Sequence, residues 1–272
     1  MSELRTEGAT IWYDQSGDGP DLVWVAGGDQ PGSDWRLYQV PYFDAQWRNT
    51  TYDPRGVGRT RSAPESELSI AAHAADCAAL IREACSPPVV TIGLSMGSLI
   101  VQEICLTYPE LVRCGIAMGT SADSKGYLGE WMRAEVEFRR SGGTLPEDFA
   151  ITHYGAFMFP SEVLGDPELW ARVRPMVAGA YGQRAGGDLA AQWEGCITFD
   201  SAERLPACEV PLHVIAFSQD MQCPPRLGRR VAELAPRGEF HLLEGLGHCS
   251  AFGHRPEMVN DCIAGILAGF GD

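Results

Sequence analysis

The chain has 272 residues, 45% of them hydrophobic and 21% charged, with a formal net charge of −15. That length suits one large domain, or a core with an insert, and no apolar run is long enough to span a membrane. An acidic chain without clustered Lys and Arg argues against nucleic acid or an anionic membrane as partner.

The first residues, Met1-Ser2-Glu3-Leu4-Arg5, are polar and lack the apolar stretch of a secretory signal, which predicts a cytoplasmic protein. The nine cysteines, at 77, 85, 105, 114, 196, 208, 223, 249 and 262, include no C-x-x-C pair. Several sit in apolar patterns where a free thiol acts as a small hydrophobe, so neither a disulfide framework nor a zinc site is expected.

In chain order, residues 3–7 and 9–14 read as two short strands, and Ser16-Gly17-Asp18-Gly19-Pro20 as a turn. Asp21 to Ala26 is a buried strand ending in Gly27-Gly28, Trp35 to Tyr42 a short helix, and Arg48 to Tyr52 the next strand. Ser69 caps an alanine-rich helix running to about Cys85. Pro88 to Ile92 is β-branched and reads as a buried parallel strand. Ser98 to Tyr108 is apolar at helical spacing and stops at Pro109.

Between that strand and helix lies Gly93-Leu94-Ser95-Met96-Gly97, a match to G-x-S-x-G. In a chain with 31 glycines the pentapeptide alone is weak, but its strand-to-helix setting makes Ser95 a candidate nucleophile. The turn would lift the hydroxyl from the sheet edge, and the helix N-terminus would supply N–H groups and a positive dipole.

Arg113 to Met118 is another strand, ended by Gly119-Thr120-Ser121. From 122 to 205 no strand is apparent, only helical stretches and aromatics. The strand pattern resumes at Pro211 to Phe217, followed by a helix at 226–235, a strand at 239–243 and a last helix near 256–269. The expected architecture is α/β: a mostly parallel eight-stranded sheet with helices on both faces. Its core is 1–121 and 206–272, with 122–205 as a helical insert.

A serine needs a base in reach, and the base needs an orienting group. Open parallel sheets place such groups after the strand C-termini. Asp220 is the first carboxylate after strand 211–217, and His248 follows strand 239–243 in Glu244-Gly245-Leu246-Gly247-His248. The order Ser95, Asp220, His248 is the one this arrangement requires. The other five histidines fit less well, and Asp123, after the strand that follows Ser95, is the rival acid. The oxyanion formed on attack needs donors, expected from the backbone N–H of Met96 and of Gly28, with Asp29 next to it.

These segments resemble the α/β-hydrolase superfamily over essentially the whole chain. Gly93 to Gly97 is similar to its nucleophile elbow, Asp53-Pro54-Arg55-Gly56-Val57-Gly58 to its D-x-R-G-x-G loop, and Asp220 and Gly247-His248 to its acid and base segments. Gly27-Gly28-Asp29 lacks a preceding His and looks more like the G-G-N segment of aclacinomycin-type methylesterases; enol-lactonases and cofactor-free perhydrolases belong to the wider set. Asp53 and Arg55 are assigned to fixing a loop rather than to catalysis.

The resemblance implies a serine hydrolase that cleaves a carboxylic ester or lactone through an acyl-enzyme, with no metal or organic cofactor. Its partner would be a small-molecule substrate, with a homodimer left open. Residues 122–205 would be the cap, whose aromatics suggest an apolar pocket for a ring-bearing or acyl substrate, and Trp131, Phe157, Phe159 and Trp193 are the candidate contacts. The alternatives on the same triad are a C–C bond hydrolase, a perhydrolase or a polyketide-tailoring or cyclising enzyme. A small-molecule receptor without turnover is the alternative from another class.

Overall fold

A computed structural model describes residues 2–63, 66–182 and 189–270. Nine strands form one sheet: β1 (Ser2–Thr6), β2 (Ala9–Ser16), β3 (Asp21–Val25), β4 (Arg48–Tyr52), β5 (Arg61–Ser62), β6 (Val89–Leu94), β7 (Val112–Met118), β8 (Leu212–Phe217) and β9 (Gly238–Leu243). Their spatial order is β1-β2-β4-β3-β6-β7-β8-β9, with β5 added on β2. β1, β4 and β5 run antiparallel to β2, and every pairing from β4 through β3 to β9 is parallel.

All eight expected strands are present. The ninth, β5, pairs Ser62 with Ala9 and Arg61 with Thr10. Two polar residues carry no periodicity, so only the neighbouring β2 makes them a strand.

The central strands are buried on both faces because their side chains alternate between two cores. Val23 and Val25 pack into one apolar cluster with helices Ile70–Ala84, Met96–Thr107 and Pro225–Leu234. Leu22 and Trp24 pack into the other with Trp35, Phe43 and helix Pro256–Leu267. The Ser69 side chain accepts a hydrogen bond from the Ala72 N–H at 3.1 Å, the cap expected from sequence, worth about 1 kcal/mol.

Between β7 and β8 the described residues hold no strand beyond an isolated bridge from Asp123 to Asp200. Helices Tyr127–Arg140, Glu147–Met158, Ser161–Gly165, Pro167–Val177 and Leu189–Thr198 fill this stretch. Ala150, Tyr154, Phe159, Val163 and Val173 give it a small core of its own. Residues 183–188 of the expected insert lie outside the described residues. Among the described residues no helix is long and apolar enough to cross a membrane.

β3 and β6 are neighbours with connections leaving in opposite directions, so a crevice opens beyond their C-terminal ends. Gly27 to Gln30 follows β3, and Ser95 follows β6.

Candidate active site

The turn at Ser95 is imposed by its neighbours. Ser95 has φ 56° and ψ −124° and stands at the N-terminus of helix Met96–Thr107. A side chain there is strained, at a cost of about 1–3 kcal/mol. The surroundings hold it in place. The Ser95 N–H donates to the Met118 carbonyl at 3.0 Å, and the Ser95 carbonyl accepts from Ser98 N–H at 2.8 Å and Ser98 Oγ at 2.5 Å. The flanking glycines are a packing requirement. A Cβ on Gly93 would strike the Gly97 carbonyl, and one on Gly97 would strike that of Val25.

His248 and Asp220 meet beside this turn. Nδ1 of His248 lies 2.6 Å from Oδ2 of Asp220, and both residues are buried. The second carboxylate oxygen, Oδ1, accepts from the N–H groups of Gln222 and Cys223, each at 2.8 Å. A carboxylate so placed only accepts, so Nδ1 carries the proton and Nε2 presents a lone pair. Nε2 is buried and has no hydrogen-bond partner among the described residues. Gly119, with φ 54°, lies against this pair: a Cβ there would sit 3.0 Å from Cε1 of His248.

Asp123 does not reach the histidine. Its carboxylate binds Arg230 Nη1 at 2.7 Å and Lys125 Nζ at 3.2 Å. Burial pushes its pKa up, but those two cations outweigh burial and hold it below the usual range.

Ser95 and His248 line one cavity of ≈310 Å³, together with Gly28, Asp29, Met158, Trp193 and Phe252. Ser95, Gly28 and Trp193 also border a second, ≈50 Å³ cavity that reaches Met96, Leu99, Trp131 and Met132 and is not lined by His248. The backbone N–H groups of Gly28 and Met96 are donated to no described acceptor. That of Asp29 is engaged by Oε1 of Gln192 at 2.8 Å, so Asp29 lines the cavity with its backbone donor already used.

Of the four aromatics expected at the pocket, Trp193 borders both cavities and Trp131 the smaller one. Phe157 and Phe159 border neither of these two cavities. Phe157 stacks behind Trp131 at 5.2 Å between centroids. Phe159 is buried in the helical segment's own core because its strand-like backbone after helix Glu147–Met158 turns it inward. Asp53 and Arg55 are structural, as expected. Asp53 accepts from the N–H groups of Gly32 and Arg59, each at 2.8 Å, and Arg55 pairs with the buried Asp76.

Sequence reasoning missed the glutamines. Oε1 of Gln30 accepts from Gly27 N–H at 2.9 Å and shapes the loop after β3. Gln192 ties that loop, through Asp29, to the Arg55 carbonyl, which accepts from its Nε2 at 2.9 Å. Gln222 borders both cavities. A glutamine on a distant helix carries no local signal of such a role.

A strand-order switch, a serine on a strained turn and a His–Asp pair beyond the next strands form one arrangement. The sequence pattern of the alpha/beta hydrolase family matches residues 22–261. The chain belongs to the alpha/beta hydrolase family. This hydrolase is 32% identical over 265 residues to the "Putative non-heme bromoperoxidase BpoC" of Mycobacterium tuberculosis, covering 94% of this chain and 97% of that protein. The crystal structure of that protein from strain H37Rv superposes with a TM-score of 0.88 at 29% identity, over 95% of this chain and 96% of the other. The enol-lactonase of Burkholderia xenovorans LB400 shares the fold, with a TM-score of 0.85 at 19% identity over 98% of this chain and all of its own length.

For a metal ion, the candidates among the described residues lie elsewhere in the hydrolase. His213 on β8 and Glu239 and His241 on β9 bring one ligand atom each within 4.8 Å of one another.

Proposed function

We propose that this hydrolase cleaves a carboxylic ester or lactone of a small, apolar or ring-bearing molecule through an acyl-enzyme. The observation that carries this reading is the buried 2.6 Å His248–Asp220 pair, whose Nε2 is left unpartnered beside the cavity that Ser95 lines. In the reaction, His248 Nε2 takes the Ser95 proton as Oγ attacks the carbonyl carbon. Asp220 holds the ring with its proton on Nδ1 and stabilises the imidazolium. The N–H groups of Gly28 and Met96 receive the oxyanion, each worth about 3 kcal/mol in the transition state. The imidazolium then protonates the leaving oxygen, and a water activated by the same Nε2 releases the acid.

That proton transfer orients the substrate. The leaving group must face His248, so it occupies the ≈310 Å³ cavity, while the acyl substituent points into the ≈50 Å³ cavity on the far side of Ser95. A water-sized group needs roughly 10–15 Å³, which limits the acyl part to a short chain of a few carbons. The helical segment acts as the cap, since Met158, Met176, Leu189 and Trp193 line the leaving-group cavity from it.

A second reading keeps the triad and replaces water by hydrogen peroxide in the release step, giving a peroxyacid. It is favoured by the 32% relationship to a protein whose name is a non-heme bromoperoxidase and by the short acyl cavity.

The test is fluorophosphonate labelling read by intact mass, on wild type and Ser95→Ala, followed by esters that vary acyl length and leaving group separately. Wild type should be labelled and Ser95→Ala should not, with acetyl to butyryl esters preferred and bulky leaving groups accepted. A folded wild type that resists labelling and turns over no ester would overturn the serine mechanism. Labelling with a preference for long acyl chains would overturn the orientation alone.

A further inference from the structure

We propose that His213, Glu239 and His241 form a binding site for a divalent transition-metal ion of the zinc class, which clips β9 to β8. The site lies away from Ser95 and owes nothing to the hydrolytic reading.

The backbone brings these residues together. β8 and β9 are adjacent parallel strands in which His213 pairs with Glu239, and His241 lies two residues further along β9. A strand alternates faces with period two, so all three side chains emerge on one face. Nδ1 of His213 is 3.0 Å from Nε2 of His241 and 3.7 Å from Oε2 of Glu239. A tetrahedral ion with bonds of 2.0–2.1 Å holds its donor atoms about 3.3–3.4 Å apart. The two separations from His213 therefore need to change by only a few tenths of an ångström, the His241 and Glu239 atoms lie within 4.8 Å of each other, and the two imidazoles must rotate to point both lone pairs at one centre. The ring planes are 21° from parallel, with centroids 5.3 Å apart.

The chemistry of the donors suits the ion. Two imidazoles and one carboxylate are a borderline ligand set that leaves a fourth position for water. Access is open as well. β9 ends the sheet, the Glu239 side chain is 67% exposed, His241 is half-buried and His213 is buried. Phe270 packs edge-on against the His213 ring, at 5.9 Å between centroids, and shields that side from water.

The position gives the ion leverage. β8 leads into the loop of Asp220, and β9 into the loop of His248. An ion held by both strands would tie together the two elements that carry this pair.

The experiment uses the full chain, stripped with EDTA and dialysed, then titrated with Zn²⁺ by calorimetry and followed by thermal unfolding. Co²⁺ is the spectroscopic probe, since thiolate ligation by one of the nine cysteines would show as a strong charge-transfer band. Wild type should take up one ion per chain, gain Tm with metal concentration, and give a cobalt spectrum without thiolate charge transfer. His241→Gln should weaken binding by roughly tenfold or more and lose the metal-dependent rise in Tm. Glu239→Gln, at an exposed side chain, should keep the metal-free Tm and weaken binding several-fold. Stoichiometric uptake unchanged in both variants, a thiolate cobalt spectrum, or no uptake by wild type would each overturn the proposal and leave the two histidines as a hydrogen-bonded pair.

Discussion

Replacing Asp220 by Asn tests the proposed mechanism at one proton. Asp220 uses both oxygens, Oδ2 for His248 Nδ1 at 2.6 Å and Oδ1 for the N–H groups of Gln222 and Cys223 at 2.8 Å. An Asn side chain has a single oxygen, and two backbone donors at one end demand it there. Its NH₂ then faces His248 and donates to Nδ1. The imidazole proton moves to Nε2, where a lone pair is needed to accept the Ser95 proton. Both ends of the Asn side chain keep their hydrogen-bond partners, so the loss in unfolding free energy should stay within about 1–3 kcal/mol, the cost of the one buried N–H that the shifted proton creates at Nε2. Activity should nevertheless fall by about 10⁴, or ~5.5 kcal/mol in transition-state stabilisation. The assay is kcat/KM on an acetyl ester, with Tm measured on the same preparations. Asp123→Asn, whose carboxylate is committed to Arg230 and Lys125, should leave kcat/KM near the wild-type value. Retention of activity within about tenfold by a folded Asp220→Asn protein, or a comparable loss in Asp123→Asn, would refute the reasoning.

Two further outcomes follow from backbone strain and burial. Ser95→Gly should remove the cost of a side chain at φ 56° and raise stability by about 1 kcal/mol in denaturant titration while abolishing fluorophosphonate labelling; a destabilised Gly variant would contradict the strained turn. His73, buried in helix Ile70–Ala84, has its pKa pushed down to about 4, first by burial and further by Arg55, against the opposing effect of Asp76. The folded protein keeps this ring neutral while the unfolded chain protonates it near pH 6.5. The stabilisation is therefore present above pH 6.5 and is lost as pH falls towards 4, by about 3 kcal/mol in all. Urea unfolding at pH 7 and pH 4.5 should show a smaller loss in His73→Gln than in wild type, and equal losses would assign the acid sensitivity elsewhere.

By itself the sequence determined eight of the nine described strands, the helices that flank the sheet and the strand ends at which the proposed triad stands. The reason is local. Val23 and Val25 alternate with Leu22 and Trp24, a two-faced burial written directly into the residue order. The proposed triad of Ser95, Asp220 and His248 could be placed, each from the strand before it, because a parallel sheet presents its functional loops at strand C-termini. Gly93 and Gly97 were legible for the same reason, since the crowded crossing of strand and helix tolerates no Cβ at either.

The tertiary structure decided what depends on side chains from distant segments. Asp220 and Asp123 both follow strands, and only the approach of Arg230 from another helix shows where Asp123 is spent. Phe157 and Phe159 are two residues apart in one aromatic-rich stretch. Whether either borders a cavity depends on Trp131 covering the first and Val163 and Val173 surrounding the second. The grip of Gln192 on Asp29 spans 163 residues, and the His213–Glu239–His241 cluster exists only because β8 and β9 pair in one register. Periodicity records what a residue buries against its own element. Cavities and ligand clusters arise from neighbours brought together by the fold, and a linear pattern holds no record of those neighbours.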